Sequence, residues 1–483
     1  VVVVAAGVIL LLTLYWRGDQ VPPPPPPPIT PHEDDDRTIT PPPVVEVIGP
    51  PREMTPRLLA DRQYQDAVRL FAADPRKAAD LFRVAADAGH PAAQYRSALL
   101  LLYGGAGVTP DRTQAVARLH QSAEQGHAPA QAVLGDLIAR QGEKAEQTAE
   151  ARAWFAKALP ALSRGAAEGD AEDRYALGLI HFSRVSEVHN PAEAVKLFGL
   201  AAQAGHADAQ FRLGRAYDYA VGVSYDPVEA VRWYAAAADR GHVLAAGALG
   251  RLQCEGWGMP RDEAKGLARL RDVTSDVRRL AEAGDPDAEV LLGAMISEGR
   301  GVKQDDAEAI HWFTRAAERG DPVAANRLAG CYADGLGVTQ DQKEAARLYS
   351  KAAEKSFPVA QYNLGDAYQR GVGVETDLAQ AARWYTRAAE MELPHSQLAL
   401  GLLYTQGRGV PMNGEVAKRW YSKAAAGYRR AADAGDAGAQ FRLGQLSQRG
   451  LGVPEDRQAA REWYRKAAEQ GHDGAKKALD QLK

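Results

Sequence analysis

Histidine is the residue type in this chain whose recurrence first suggests chemistry, because an imidazole can move protons or bind a metal near neutral pH. Five of the 11 histidines directly follow a glycine, and they are His90, His127, His206, His242 and His472. Aspartate takes the same place at Asp170, Asp285, Asp321 and Asp436. Such an exchange before a predicted helix is typical of side chains that cap the helix by accepting a backbone hydrogen bond. Because neighbouring members are separated by a whole helical unit, we interpret them as caps and not as a shared metal site.

Glycine-rich turns are the second candidate for chemistry, because glycine loops cradle phosphate groups in nucleotide-binding proteins. Segments 371–374 and 407–410 both read Gly-x-Gly-Val. Neither turn extends into a nucleotide-binding frame, and the chain contains no His-Glu-x-x-His or Gly-x-Ser-x-Gly. We therefore interpret these glycines as helix terminators. The sequence predicts that the protein is not an enzyme and that it holds neither a metal nor a cofactor.

Charge and cysteine content exclude further classes of function. The chain has 58 Lys and Arg residues against 62 Asp and Glu residues, so no overall positive field points to a nucleic-acid partner. The two cysteines, Cys254 and Cys331, fall in repeating units that are two apart. That separation exceeds the roughly 7 Å between Cα atoms that a disulfide tolerates. We expect both cysteines to be buried small apolar residues.

One pattern recurs along the chain and must position all of these groups. Leucine, followed by glycine or alanine, recurs at intervals of 36 or 43 residues at Leu134, Leu177, Leu213, Leu249, Leu292, Leu328, Leu364, Leu400 and Leu443, and Ser97 takes its place in the first copy. A period of this length is typical of helical solenoids, in which each unit buries its apolar face only against its neighbours. Seven extra residues amount to two helical turns. We therefore predict a longer second helix in the copies that begin at Leu134, Leu249 and Leu400.

A single copy predicts two helices joined by a tight turn. From Tyr362 to Tyr368, apolar residues recur at helical spacing, and Gly371 then ends the helix because a positive φ is favourable mainly for glycine. Asp377 is expected to cap the second helix. On that helix, small alanines are expected to make room in the core for the indole of Trp384. Trp384→Ala is then expected to cost several kcal/mol.

This pattern resembles the Sel1-like repeat, a relative of the tetratricopeptide repeat, over about residues 91–474. The resemblance depends on the Leu-Gly pair, the Gly-x-Gly turn, the Asp cap and the Trp-Tyr pair at fixed offsets. It implies an all-α fold, a right-handed α/α superhelix, that acts as an adaptor for protein complexes, often in bacterial envelopes or membrane-associated signalling. The copy from Leu134 lacks the Gly-x-Gly turn, and the copy from Leu249 has Arg269 and Leu270 in place of Trp-Tyr.

The sequence divides into four regions. Residues 1–16 carry no charge and are predicted to be a transmembrane anchor. A membrane span needs about 20 apolar residues and the sequence opens on Val, so we expect the anchor to continue upstream. A cleaved signal peptide is the alternative. Residues 17–56 are rich in proline and are predicted to be an extended linker. Residues 57–90 are predicted to be an incomplete capping repeat, and residues 91–483 about ten Sel1-like repeats with a C-terminal cap.

The candidate partner-binding residues are four arginines that share one slot of the first helix, namely Arg96, Arg212, Arg327 and Arg442. The preceding slot is often aromatic, as at Tyr95, Tyr175, Phe211, Tyr362 and Phe441, and we expect these rings in the core between units. In related helical repeats the first helix lines the concave face, so the arginines are predicted to lie along that face. Arginine is enriched at interface hot spots. A solvated face without a partner is the alternative interpretation.

The leading hypothesis for function is a scaffold that is tethered to the bacterial inner membrane and binds a protein partner in the periplasm. An N-terminal anchor usually exports the domain that follows it, and basic residues are sparse just after residues 1–16. One alternative is a binder or modifier of cell-wall glycan or peptidoglycan. Another is a structural subunit that self-associates in a larger membrane-associated assembly. The sequence leaves the partner and the oligomeric state open.

Overall fold

The fold was obtained as a computed structural model, which describes residues 55–142 and 144–482. These residues form 23 α-helices and no β-strand, as the all-α prediction requires. The predicted anchor, residues 1–16, and the predicted linker as far as residue 54 lie outside the described ranges. Within those ranges, none of the helices combines the length and the apolar character that a membrane span requires.

The helices alternate between first and second members of successive hairpins. The first helices are α1 (Pro56–Leu70), α3 (Pro91–Tyr103), α5 (Ala128–Ala139), α7 (Ala171–Phe182), α9 (Ala207–Tyr219), α11 (Val243–Glu255), α13 (Pro286–Glu298), α15 (Pro322–Asp334), α17 (Pro358–Arg370), α19 (Pro394–Gln406), α21 (Ala437–Arg449) and α23 (Asp473–Gln481). The second helices are α2 (Pro75–Asp87), α4 (Arg112–Glu124), α6 (Ala145–Glu168), α8 (Pro191–Gln203), α10 (Pro227–Ala238), α12 (Glu263–Glu282), α14 (Asp306–Glu318), α16 (Gln342–Glu354), α18 (Leu378–Glu390), α20 (Gly414–Asp433) and α22 (Arg457–Glu469). Each first helix from α3 to α21 packs on its own second helix and on the second helix of the preceding hairpin, while α1 packs on α2 and α23 on α22.

The three predicted long helices are confirmed. Helix α6 has 24 residues, and α12 and α20 have 20 residues each, whereas the other second helices have 12 or 13. An insertion of seven residues is two turns, which lengthens a helix without rotating its apolar face away from the neighbouring helices.

The predicted helix caps are also confirmed. The Nδ1 atom of His206 accepts a hydrogen bond from the backbone N–H of Ala209 at 3.3 Å, and the other four histidines of this slot cap their helices in the same way. Asp377 caps α18 by accepting from the N–H groups of Ala379 and Gln380, each at 2.9 Å. These bonds satisfy backbone donors that the first turn of a helix leaves without a partner.

The expectation that Trp384 fills the core was wrong. Tyr385 is the buried member of the pair, with 2% of its surface exposed, while Trp384 is only partly buried at the edge of the core. The guanidinium of Arg387 lies 4.6 Å from the centre of the Trp384 ring. One residue along a helix is a rotation of about 100°, so only one member of the pair can face the first helix.

Hairpins that are far apart in sequence also touch one another. The backbone N–H of Gly258 donates to Oδ2 of Asp436, 178 residues away, at 3.1 Å. The N–H of Tyr225 donates to the carbonyl oxygen of Met391 at 3.0 Å. Repeats near the middle of the chain therefore pack against repeats near its C-terminal end, and the first helices between them enclose an internal space.

Candidate functional site

Helices from α9 to α21, most of them first helices, line a cavity of about 1400 Å³. Its walls come from the C-terminal end of α9, the following loop, α11, α15, α17, α19, the long helix α20 and α21. The hydrogen bond between Tyr225 and Met391 joins two of these walls. We call this space the inner cavity.

Aromatic side chains make up much of the lining of the inner cavity. Tyr217, Tyr219 and Tyr225 contribute from α9 and its loop, and Tyr362 and Phe441 contribute from α17 and α21. The sequence placed the last two rings in the core, together with Tyr95, Tyr175 and Phe211. Burial is confirmed for Tyr95, Tyr175 and Phe211, whereas Tyr362 and Phe441 are only partly buried and face the cavity.

The four predicted partner-binding arginines are divided between two places. Arg212 is 4% exposed and its Nη2 lies 2.8 Å from Oδ2 of Asp136, and Arg96 lies 2.5 Å from Oε2 of Glu172. These two guanidinium groups are thus held by acids of the protein itself.

Arg327 and Arg442, in contrast, both line the inner cavity. Arg327 pairs with Oε1 of Glu298 at 3.1 Å, and Arg442 donates to Oε1 of Gln445 at 3.1 Å. The structure therefore brings together two of the four arginines, and the role of all four in partner binding stays a prediction.

Most charges that line the inner cavity are compensated locally. Arg251 pairs with Asp218 at 2.8 Å, and Arg430 pairs with Asp226 at 2.5 Å. The Asp436 carboxylate accepts backbone hydrogen bonds from Ala439 and from Gly258, at 2.8 and 3.1 Å. A ligand would meet aromatic surface and few free charges.

Two buried polar atoms of residues on the wall have no hydrogen-bond partner among the described residues, Oε1 of Gln397 and the hydroxyl of Tyr428. The hydroxyl of Tyr428, a residue of α20 that is 3% exposed, makes no hydrogen bond to the described part of the chain. Burial raises the pKa of this phenol, so the hydroxyl keeps its proton at pH 7 and can donate. A buried hydroxyl without a partner is costly, which favours a ligand or water at this position.

A second cluster of ionic groups, which the sequence did not indicate, lies nearer the N-terminal end. Arg140 and Arg215 both pair with Asp287, the latter at 2.8 Å, and Arg112 pairs with Asp285 at 3.1 Å. Burial alone would raise the pKa of Asp287, but the nearby guanidinium groups hold it well below its usual range. This cluster ties α4 and α5 to α13 and leaves no acid free for chemistry.

The cysteines are as predicted. Cys254 and Cys331 are buried free thiols, and burial raises the pKa of each. A thiol in this state is a poor nucleophile, because the reactive form is the thiolate.

The sequence matches the family described as Sel1 repeat in eleven segments, which together cover more than half of the chain. The matched residues are 65–90, 91–127, 128–159, 171–206, 207–242, 243–268, 286–321, 322–357, 358–393, 394–427 and 437–472. Each match from residue 91 onward begins at or next to the start of a first helix.

Individual proteins are also similar. A Sel1 repeat protein from Oxalobacter formigenes is 33% identical, with 67% of this chain and 90% of that chain covered and a TM-score of 0.35. The protein c5321, a protective antigen present in uropathogenic Escherichia coli strains, is 33% identical, with 84% of this chain and 82% of that chain covered and a TM-score of 0.34.

Among curated proteins, DAP3-binding cell death enhancer 1 from Mus musculus is 34% identical over 93 residues, which are 19% of this chain. The matched part spans 16% of the length of that relative.

Proposed function

This chain belongs to the Sel1 repeat family, and we propose that it is a scaffold that binds an extended segment of a protein partner in the inner cavity. Proteins built from Sel1 repeats generally mediate protein–protein interactions. The observation that carries the proposal is the cavity of about 1400 Å³, lined by tyrosine, phenylalanine and arginine side chains. The proposed role is binding and not catalysis.

The size and lining of the inner cavity favour a peptide segment. Sites for small molecules usually have volumes of roughly 300–1,000 Å³, so this cavity leaves room for a larger ligand. Tyrosine, tryptophan and arginine are the residue types that contribute most to protein–protein affinity. Tyr219, Tyr362 and Arg327 supply such side chains from three different first helices.

A tryptophan introduced on the cavity wall tests this proposal. Ala426 is exposed on α20 and lines the cavity, so Ala426→Trp should obstruct ligand binding on this wall without disturbing the core. Ala149, exposed on the long helix α6 and away from the cavity lining, provides the matched control Ala149→Trp. The full chain and both variants are used to capture partners from cell envelopes, and the bound proteins are quantified by mass spectrometry. We expect Ala426→Trp to lose proteins that the other two retain, and equal recovery by all three would refute binding in the cavity.

We also propose that the scaffold is held at the bacterial inner membrane with its repeats in the periplasm. Support comes from the uncharged, apolar residues 1–16 and from the scarcity of basic residues just after them. Protease treatment of intact spheroplasts, followed by detection of the repeats and of a cytoplasmic marker, tests the location. Degradation of the repeats with the marker intact is expected, and protection of both would contradict it.

A further inference from the structure

Arg442 differs from the other arginines of the inner cavity because it has no carboxylate partner in the described part of the chain. Arg251, Arg327 and Arg430 each form an ion pair, at 2.8, 3.1 and 2.5 Å respectively. Within residues 55–142 and 144–482, the one polar contact of the Arg442 guanidinium is with Oε1 of Gln445, a neutral amide, at 3.1 Å.

A comparison of two equivalent helices shows what Arg442 lacks. Arg327 and Arg442 are both the sixth residue of a 13-residue first helix. The first helix before Arg327 is α13, and its last residue, Glu298, is the ion-pair partner of Arg327. The first helix before Arg442 is α19, and its last residue is the neutral Gln406. The chain thus has the same cation at Arg442 but a neutral residue in place of the acid, so Arg442 lacks the ion pair that Arg327 has.

Aromatic side chains lie near Arg442. The ring of Phe441 lies 6.0 Å from the guanidinium carbon, and the buried Tyr428 hydroxyl without a partner belongs to the same cavity wall. Enclosure by the walls and the charge of Arg442 lower the pKa of His395 to about 4, so this imidazole is neutral at pH 7. Tyr362, His395, Tyr428 and Arg442 all line the inner cavity.

We propose that Arg442, with the Tyr428 hydroxyl as a second donor, binds a carboxylate side chain of the partner segment, and that Tyr362 and Phe441 contact an apolar residue beside it. The partner is then an acidic peptide segment with at least one large apolar residue. This inference depends on the proposed function, since it names the chemistry of the segment that the cavity takes. A guanidinium partly removed from water is stabilised most by an anion, because charge-assisted hydrogen bonds are about twice as strong as neutral ones.

A displayed library of random short peptides provides the probe. It is selected on the full chain and counter-selected on the Ala426→Trp variant, so that only peptides that need an open cavity remain. We expect these peptides to be enriched in Asp and Glu next to aromatic or aliphatic residues. Binding of a synthetic consensus peptide to the Arg442→Gln variant should weaken about tenfold or more, as expected for loss of a charged hydrogen bond.

Arg327→Gln is the matched control, because it removes an arginine at the same helical position that already has an acid partner. It should change the affinity for the consensus peptide much less than Arg442→Gln does. Thermal unfolding of both variants shows whether they fold. Cavity-dependent peptides without acidic enrichment, or equal affinity of wild type and Arg442→Gln, would overturn the inference while leaving the proposed function intact. Failure to select any cavity-dependent peptide would count against both.

Discussion

The ring of Tyr385 occupies the space where a β-carbon on Gly365 would lie. An ideal Cβ built on Gly365 would come within 2.8 Å of two ring carbons of Tyr385, closer than carbon atoms approach in proteins. The same relationship recurs between Gly214 and Tyr234, and between Gly444 and Tyr464. The glycine of the Leu-Gly pair thus has the usual backbone angles of a helix. It is needed because the second helix of the hairpin approaches closely at this position.

Gly365→Ala should therefore destabilise the repeats. A methyl group at this position forces the Tyr385 ring or the helix to move, and overpacking of this kind costs about 1–3 kcal/mol. Gly199 provides the control, because it lies inside α8 with no atom within 4 Å of an added Cβ. Gly199→Ala should stabilise by roughly 0.5–1 kcal/mol through helix propensity alone. Urea unfolding of the two variants should give shifts of opposite sign, and shifts of the same sign would contradict the packing of Tyr385 on Gly365.

The repeat beginning at Leu328 shows the result of this substitution within the chain itself. Ala329 stands in the place of the glycine, and Tyr349 is only partly buried and lines the inner cavity. Leu348, which corresponds to Trp384, is buried with 4% of its surface exposed, much as Trp312 is in a repeat that keeps the glycine, at 5%. The ring of Tyr349 is thus less deeply buried in the repeat in which alanine replaces the glycine, and it lies at the wall of the inner cavity.

The two members of the Trp-Tyr pair should differ in what they contribute to stability. Tyr385→Ala removes a buried ring and leaves a space next to Gly365, so we expect a loss of about 3–5 kcal/mol in the free energy of unfolding. Trp384→Ala removes a partly buried ring with one face under Arg387, and the loss should be smaller, about 1–2 kcal/mol. Denaturant unfolding of both variants measures the difference. An equal or larger loss for Trp384→Ala would show that the indole is the main core residue after all.

The local features of the fold could be predicted from the sequence because each depends on residues within one repeat. The cap at Asp377 and the two extra turns of α20 follow from spacing alone. The orientation of Trp384 could not be predicted in the same way. Neighbouring residues of a helix are rotated by about 100° from each other, so an error of one residue in the assignment changes which side chain faces inward. The glycine of the Leu-Gly pair could have indicated the correct orientation of the second helix. A glycine on the first helix leaves space for a large ring, and the ring that fills this space is that of Tyr385.

The candidate site was much less predictable, because it depends on how the repeats coil. Arg212 and Arg442 occupy the same position in their helices, yet the first is held by Asp136, 76 residues away, and the second faces the inner cavity. The acids that select between these outcomes come from other repeats. Spacing within a repeat carries no information about contacts between repeats that depend on the curvature of the whole array.

Asp208 should make stability depend on pH in a direction opposite to the usual one for an acid. It is buried, and burial together with Glu172 raises its pKa from 3.8 to about 6, although His206 and Arg96 act the other way. The unfolded chain binds this proton only near its ordinary pKa, so between about pH 4 and pH 6 the folded state holds more protons. The contribution of Asp208 should therefore become less unfavourable as the pH falls from 7, by at most about 3 kcal/mol.

The comparison of wild type with Asp208→Asn isolates this contribution from other titrating groups. The variant should be more stable than wild type at pH 7, and the difference should shrink as the pH falls through 6 toward 4. Urea unfolding at several values of pH gives the difference directly. A difference that grows on acidification would mean that Asp208 is charged and favourably paired in the folded state.

Asp287→Asn should weaken the link between the C-terminal end of α5 and α13, because the neutral amide leaves Arg140 without an acid partner. Arg215 keeps Asp321 at 3.1 Å, so the loss falls mainly on Arg140, whose side chain is 15% exposed. Breaking a buried pair by removing one partner costs about 3–5 kcal/mol, whereas an exposed pair contributes about 0–1 kcal/mol. Asp366→Asn, which removes the surface pair with Arg370, is the matched control. Hydrogen exchange should show faster opening of α5 and α13 in Asp287→Asn alone, and unchanged protection there would mean that these distant repeats are held together by other contacts.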